Sequence, residues 1–288
     1  MSRRIPGVLA AIGLAFAAVS TAHAQDTIRI GWTDWSDAAF VTRLAQRILE
    51  EHMDQEVELV QTDIAPLYQG VASGDIDVML AAWLPDPHSD YMDRVSGDVV
   101  DLGILYDHAK LGWVVPDYIP KDEIGSIEDL RNDSVREKLD ATITGIDPGA
   151  GLTRLSEDAI EEYGLDDYEL EISSGAGMTA ALERAIDNEE WIVVTGWSPH
   201  WKFARWDLRY IDDPRGVLGS WSRIHAIARE GFYQDNIEAA TMLSRMWIPI
   251  DDLQAAMFEA RETSTEEAVT SYIANNGDRI EYWISGDM

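Results

Sequence analysis

The stretch Asp75-Ile76-Asp77-Val78-Met79-Leu80-Ala81-Ala82-Trp83-Leu84-Pro85 is a short apolar run that ends in Trp-x-Pro. In the second half of the chain, Ile192-Val193-Val194-Thr195-Gly196-Trp197-Ser198-Pro199 repeats the design. Runs of this length without polar alternation, closed by a turn residue, read as strands buried on both faces. Each half also carries a strand that passes through a turn into a helix, at Trp35-Ser36-Asp37-Ala38 and at Asp147-Pro148-Gly149-Ala150-Gly151-Leu152. Two copies of one pattern imply two lobes whose matching strand ends face a common cleft, where ligands of α/β folds bind.

Working outward, the first half reads as strands at Thr27–Trp32, Val57–Gln61, Asp77–Ala82 and Gly112–Val115, the last ended by Pro116. Between them, Phe40, Val41, Leu44, Ile48 and Leu49 recur at helical spacing, and a shorter helix follows near Leu67 to Ala72. The second half reads as strands at Ala141–Ile146, Tyr168–Ile172 and Trp191–Thr195, with helices from Leu152 to about Tyr163 and over Ala176–Ile186. Ser126 and Asp129 have the spacing of a capping box. Ile224–Ala228 reads as a strand returning to the first lobe, followed by helices at Asn236–Met246, Asp251–Ala260 and Thr265–Ala274. Strands alternating with helices predict an α/β fold with a mostly parallel sheet in each lobe. The expected division is a leader over residues 1–24, a first lobe over 25–115, a second over 116–220, and a return to the first lobe over 221–288. The two crossings fall near Val115–Asp117 and Gly219–Ser222.

Met1 to Arg4 carry two positive charges, Ile5 to Val19 are apolar, and Ala22-His23-Ala24 supplies small residues at the two positions a signal peptidase reads. This is the pattern of a cleaved secretory signal, too short for a stable membrane anchor. Cysteine is absent, so neither a disulfide nor a lipidated cysteine is available, and the expected location is a periplasm-like space without a lipid anchor. The net charge of −31 becomes −33 once Arg3 and Arg4 are removed. Such an acidic chain is excluded as a partner of nucleic acid, whose phosphates require a basic surface. The dispersed acids read best as adaptation to a salty medium that screens their repulsion.

Eleven tryptophans in 288 residues exceed what core packing asks for. Trp83 and Trp197 follow the ends of apolar strands, and Trp35 lies in a strand-to-helix turn. Three indoles converging on a cleft suit a quaternary ammonium, which has no N–H to donate and is held by the negative faces of aromatic rings, indole best of all. The Gly149-Ala150-Gly151-Leu152 turn opens a helix, whose free backbone N–H groups and positive dipole end are suited to an anion, and Gly151 permits close approach. His88, five residues after Trp83, is placed to donate an N–H to the same anion, with His200 behind it. His88 and His200 lack the spacing of a metal site, so neither a metal nor any other cofactor is expected.

Ala82-Trp83-Leu84-Pro85-Asp86-Pro87-His88, Thr144-Gly145-Ile146-Asp147-Pro148-Gly149-Ala150-Gly151-Leu152, Met178-Thr179-Ala180-Ala181-Leu182 and Val193-Val194-Thr195-Gly196-Trp197-Ser198-Pro199-His200-Trp201 closely resemble the glycine betaine-binding subunits, of OpuAC type, of osmoprotectant ABC transporters. The likeness covers nearly the whole chain after the leader and is weakest in the C-terminal third. It implies a non-enzymatic, monomeric receptor with the type II periplasmic-binding fold, whose two lobes close on a betaine and present it to a membrane permease. It also implies an aromatic cage of Trp35, Trp83 and Trp197, and a carboxylate site formed by His88 and the backbone amides of Gly151 and Leu152. Trp35, Trp83 and His88 then belong to one lobe, and Gly151, Leu152 and Trp197 to the other. Pro87, where the family often has Thr, and Ala38-Ala39, where it has a Glu-Ile pair, depart from the pattern and leave room for a different betaine, such as proline betaine, carnitine or dimethylsulfoniopropionate. Choline is a further alternative, although it has no carboxylate for the anion end. A secreted hydrolase with a Trp-lined carbohydrate cleft is the alternative from another class. It requires two facing carboxylates, and the chain has no Gly-x-Ser-x-Gly nucleophile elbow.

Overall fold

The computed structural model describes residues 27–287, so the leader expected over Met1 to Ala24 lies outside the described residues. In chain order the elements are β1 (Ile28–Trp32), α1 (Ser36–Met53), β2 (Val57–Gln61), α2 (Ile64–Ser73), β3 (Val78–Leu84), α3 (Ser89–Val95) and β4 (Val99–Pro116). They continue with α4 (Asp133–Lys138), β5 (Thr142–Thr144), α5 (Gly151–Glu162), β6 (Glu169–Glu171), α6 (Gly175–Asp187), β7 (Val194–Ser198), α7 (Lys202–Arg205) and β8 (Leu208–Tyr210). The chain ends with β9 (Ser222–Arg229), α8 (Phe232–Asp235), α9 (Ile237–Arg245), α10 (Ile250–Glu262), α11 (Thr265–Asn275) and α12 (Gly277–Ser285).

The strands form one hydrogen-bonded path in the order β2-β1-β3-β9-β4-β7-β5-β6, with β8 on the free side of β4. In the first lobe β1 runs parallel to β2 and β3, and β9 is antiparallel to both β3 and β4. In the second, β5 is parallel to β6 and β7, and β4 is antiparallel to β7 and β8. The fold is thus α/β with two lobes, as the alternating pattern predicts, but the sheets are mixed rather than mostly parallel, because β9 and β4, which link the lobes, pair antiparallel with every neighbour.

Strand β4 belongs to both lobes. Its residues Val99 to Ala109 pair with β9, and Lys110 to Pro116 pair with β7 and β8. The change of partner therefore lies between Ala109 and Lys110, ahead of the crossing expected at Val115–Asp117. Burial explains why the first part of β4 escapes a reading of periodicity. In the first lobe β4 is an edge strand, where Asp101, Asp107 and His108 break the apolar pattern. In the second it is flanked on both sides, and Leu111 to Pro116 are all buried. Ala109 pairs with Ser222, the first residue of β9, so the outgoing and returning chains pass between the lobes side by side.

Local chemistry accounts for the helices that frame the cleft. In α1, Phe40, Val41, Leu44, Ala45, Ile48 and Leu49 are buried along one face, and Asp54 closes the helix in a left-handed conformation with its N–H donating to Leu49 O. The expected capping box is present, with Ser126 Oγ accepting from Glu128 N–H and Asp129 Oδ2 accepting from Ser126 N–H at 2.8 Å. Both Trp-x-Pro motifs end in a cis peptide bond, Leu84–Pro85 and Ser198–Pro199. Trp83 and Trp197, expected beyond their strands, lie within β3 and β7. They stay buried there, at 3% exposure each, because the opposite lobe covers the strand ends.

Candidate functional site

Cleft elements from both lobes converge on one cavity. Trp35 precedes α1, Trp83 is near the end of β3, His88 precedes α3, Gly151 and Leu152 open α5, and Trp197 lies in β7. All six line a single pocket together with Pro87, already noted as a departure from the family pattern, and with Leu111, Ile146 and Ala150, which sequence reasoning did not assign to the site. The space not filled by protein atoms, including its mouth, is about 300 Å³. The three indoles expected to form the cage are at most 8% exposed.

The side of the pocket expected to meet an anion has two kinds of donor. At the start of α5, Ala150 N–H donates to Asp147 O and Arg154 N–H to Ala150 O. The N–H groups of Gly151 and Leu152, between them, find no acceptor among the described residues. Such unpaired amides at a helix N-terminus are the usual partners of an anion. His88 adds a donor whose tautomer follows from its neighbours. Its Nδ1 accepts the Trp83 backbone N–H at 3.1 Å, which leaves the ring proton on Nε2. Burial, and secondarily the charge of Arg154, hold His88 down to about 3, so the ring is neutral at any ordinary pH.

The lobes are closed on each other. Arg154 Nε of α5 lies 3.4 Å from Asp90 Oδ2 of α3, and Tyr91 Oη donates to Gly149 O at 2.6 Å. Arg205 of α7 reaches Glu262 of α10 at 3.4 Å. Gly151 faces the Pro87 backbone so closely that a β-carbon would stand 2.7 Å from the Pro87 carbonyl carbon and 2.9 Å from its Cα. The close approach that Gly151 permits is therefore, in the protein alone, an approach of lobe to lobe.

Residues missed by sequence reasoning surround the indoles. Trp35 Nε1 donates to Asp147 Oδ2 at 3.0 Å, and Trp197 Nε1 donates to Asp37 Oδ1 at 3.0 Å. Asp37 is fully buried at the start of α1, and its Oδ2 accepts from Tyr106 Oη at 2.7 Å. Burial raises the Asp37 carboxyl above the ordinary carboxylate range, against the pull of the Tyr106 and Trp197 bonds. Behind Trp197, Lys202 Nζ sits 4.3 Å from the ring centroid, and the His200 ring meets the indole edge-on at 4.6 Å. Lys202 is fully buried, and desolvation holds its ammonium well below the usual lysine range, with Asp37 opposing. The quoted turns contained both aspartates, but a carboxylate beside a turn is ordinary, and nothing in the sequence shows which indole it faces.

Among the described residues no group of His, Asp and Glu is arranged to hold a metal, and no helix is long and apolar enough to cross a membrane.

A curated relative, the glycine betaine/carnitine transport binding protein GbuC of Listeria monocytogenes, is 36% identical over 186 residues. The match spans 64% of this chain and 58% of that relative's length. Lactococcal OpuAC, solved closed and complexed with glycine betaine, superposes with a TM-score of 0.84 at 34% identity, covering 90% of this chain and 99% of the other. An ABC-transporter choline-binding protein solved with choline gives a TM-score of 0.82 at 25% identity, covering 90% and 92%. The family model described as the substrate binding domain of ABC-type glycine betaine transport systems matches residues 26–275, and the chain belongs to that family, OpuAC.

Proposed function

We propose that the chain is a non-enzymatic, extracytoplasmic receptor that encloses a small quaternary-ammonium zwitterion of the glycine betaine kind and presents it to an ABC permease. The single observation that carries this reading is the cavity itself, in which three indoles converge with two unpaired backbone amides and a neutral histidine. The trimethylammonium group lies against Trp35, Trp83 and Trp197, each contact being worth about 0.5 to 2 kcal/mol when desolvated. The carboxylate receives the N–H groups of Gly151 and Leu152 and the Nε2–H of His88. The ligand bridges the lobes, so binding and closure are one event.

Choline, bound by one solved relative, is the second reading. The donors of Gly151, Leu152 and His88 favour the zwitterion, because with choline they would have no anion to meet, and unmatched buried donors weaken binding. Carnitine and dimethylsulfoniopropionate carry both ends and belong to the same chemical class.

The leader over residues 1–24 and the absence of cysteine support a free periplasmic protein. The lobes are read as 25–115, 116–220 and 221–288, with β4 changing partner between Ala109 and Lys110, and the chain is read as a monomer that closes on its own ligand. The test is a tryptophan fluorescence titration, with calorimetry, across glycine betaine, proline betaine, carnitine, dimethylsulfoniopropionate, choline and ectoine. The expected result is saturable quenching or shift with betaines and weaker binding of choline. A flat signal at millimolar betaine overturns the function, and tighter binding of choline overturns the zwitterion.

A further inference from the structure

The two cage indoles that meet the opposite lobe do so reciprocally. Trp35, on the first lobe, donates its N–H to Asp147 on the second, and Trp197, on the second, donates its N–H to Asp37 on the first, both at 3.0 Å. The arrangement repeats the internal symmetry of the chain, since Asp37 and Asp147 occupy the two strand-to-helix turns that the halves share. Neither aspartate lines the cavity. Any contact a ligand makes is therefore with the rings they hold, not with the carboxylates themselves.

Two physical consequences follow. Each bond exists only when the lobes are together, so the closed state alone fixes the planes of Trp35 and Trp197 against the cavity. An indole N–H shared with a carboxylate also gains electron density over its ring, because the proton is drawn toward the anion. The ring face then attracts a cation more strongly, and the effect persists where water is excluded. The Trp197 pair is the more enclosed, since Asp37 is fully buried and held by Tyr106 as well.

We propose that Asp37 and Asp147 are positioning residues that aim and electronically enrich the cage indoles across the closed cleft, and that they thereby select a cationic head group over a neutral one of the same shape. The proposal deepens the betaine-receptor reading and rests on it. It predicts a distinction that a purely steric role for the carboxylates would not produce.

The experiment compares wild type with Asp37→Asn and Asp147→Asn, in which the amide oxygen still accepts the indole N–H but the charge is gone. Each is titrated with glycine betaine and with 3,3-dimethylbutanoate, the neutral-head carbon isostere that keeps the carboxylate and the three methyl groups. Circular dichroism and thermal melting establish that each variant is folded. The expected result is an affinity for glycine betaine lowered about tenfold in each variant, with the affinity for the isostere changed less than about twofold. Equal losses for both ligands overturn the electronic role, and wild-type affinity for betaine in both variants overturns the whole inference. Asp147→Asn keeps the test decisive if the buried Asp37→Asn fails to fold. Failure of the wild type to bind any quaternary ammonium overturns the receptor function, and is distinct from a wild type that binds while the variants are unchanged.

Discussion

A β-carbon on Gly151 would overlap the backbone carbonyl of Pro87, the two residues lying on opposite lobes at the rim of the cavity. Backbone cannot rotate out of the way as a flexible side chain can, so the only relief is separation of the lobes. Gly151→Ala is therefore expected to disfavour the closed state. Betaine affinity should fall at least about tenfold, because the ligand must supply the free energy that closure lost. The melting temperature of the ligand-free protein should change little, since neither lobe's core is touched. Small-angle scattering with saturating betaine checks the mechanism, with wild type contracting on ligand and the variant remaining extended. A variant that contracts and binds like wild type would show that the two segments yield more easily than their backbone contact implies.

Trp197 carries three relationships at once, with its N–H on Asp37, one face near Lys202 Nζ and the rest of the ring on the cavity. Trp197→Ala is expected to weaken betaine binding at least tenfold by removing one wall of the cage, and to destabilise the fold by about 3 to 5 kcal/mol through the void. Trp197→Phe keeps a ring but lacks the N–H and has a weaker π face, so its affinity should fall between the two. Calorimetry on the three proteins orders them, and an unchanged affinity in Trp197→Ala removes Trp197 from the site.

Much of this site was legible because its chemistry sits where periodicity breaks. The two Trp-x-Pro motifs, the Gly-rich turn and His88 all fall at strand or helix ends, and all six expected residues line one cavity. Asp37 and Asp147 lie in the same turns but went unassigned, because their partners are distant in sequence and nothing local distinguishes a bonded carboxylate from a solvated one. Lys202 was missed for a related reason, since lysine reads as surface and here it is fully buried against Trp197. The first half of β4 was lost because an edge strand tolerates charge, and α12 was lost because its buried Ile280 and Trp283 stand among polar neighbours.

With a net charge of −31, the folded chain stores like-charge repulsion that salt should relieve. Its recorded ion pairs pull the other way, but most involve exposed partners such as Asp133, Asp167 and Glu266, and exposed pairs contribute little. Raising sodium chloride from about 0.05 M to about 1 M, across which the Debye length shrinks to about 3 Å, is therefore expected to raise the melting temperature. The same scan in sodium sulfate separates screening from stronger apolar burial, since screening depends on ionic strength and the burial effect on the anion. A melting temperature that falls with sodium chloride would mean that the ion pairs outweigh the repulsion.

His88 makes stability depend on pH with a definite sign. In the folded protein its imidazole is held down to about 3 by burial and by Arg154, whereas the ordinary histidine value is 6.5. The unfolded chain thus binds a proton that the folded chain refuses throughout the window between those values. Its contribution is fully present above pH 6.5 and is lost as pH falls toward 3, at about 1.4 kcal/mol per pH unit. His200, also lowered by burial, acts in the same direction, while Asp37, raised by burial, opposes them above the ordinary carboxylate value of 3.8. His88→Gln isolates the His88 share, because Gln can still accept the Trp83 N–H and donate toward the cavity without titrating. Denaturant unfolding at several values from about pH 6.5 down to about pH 4 should show the wild type losing stability more steeply than the variant by that slope. Betaine affinity of the wild type should stay flat from about pH 8 to about pH 5, because the ring remains neutral and keeps its Nε2–H throughout. Parallel stability profiles for the two proteins would place the His88 proton equilibrium in the folded state near its ordinary range, and would remove the neutral donor from the anion end of the site.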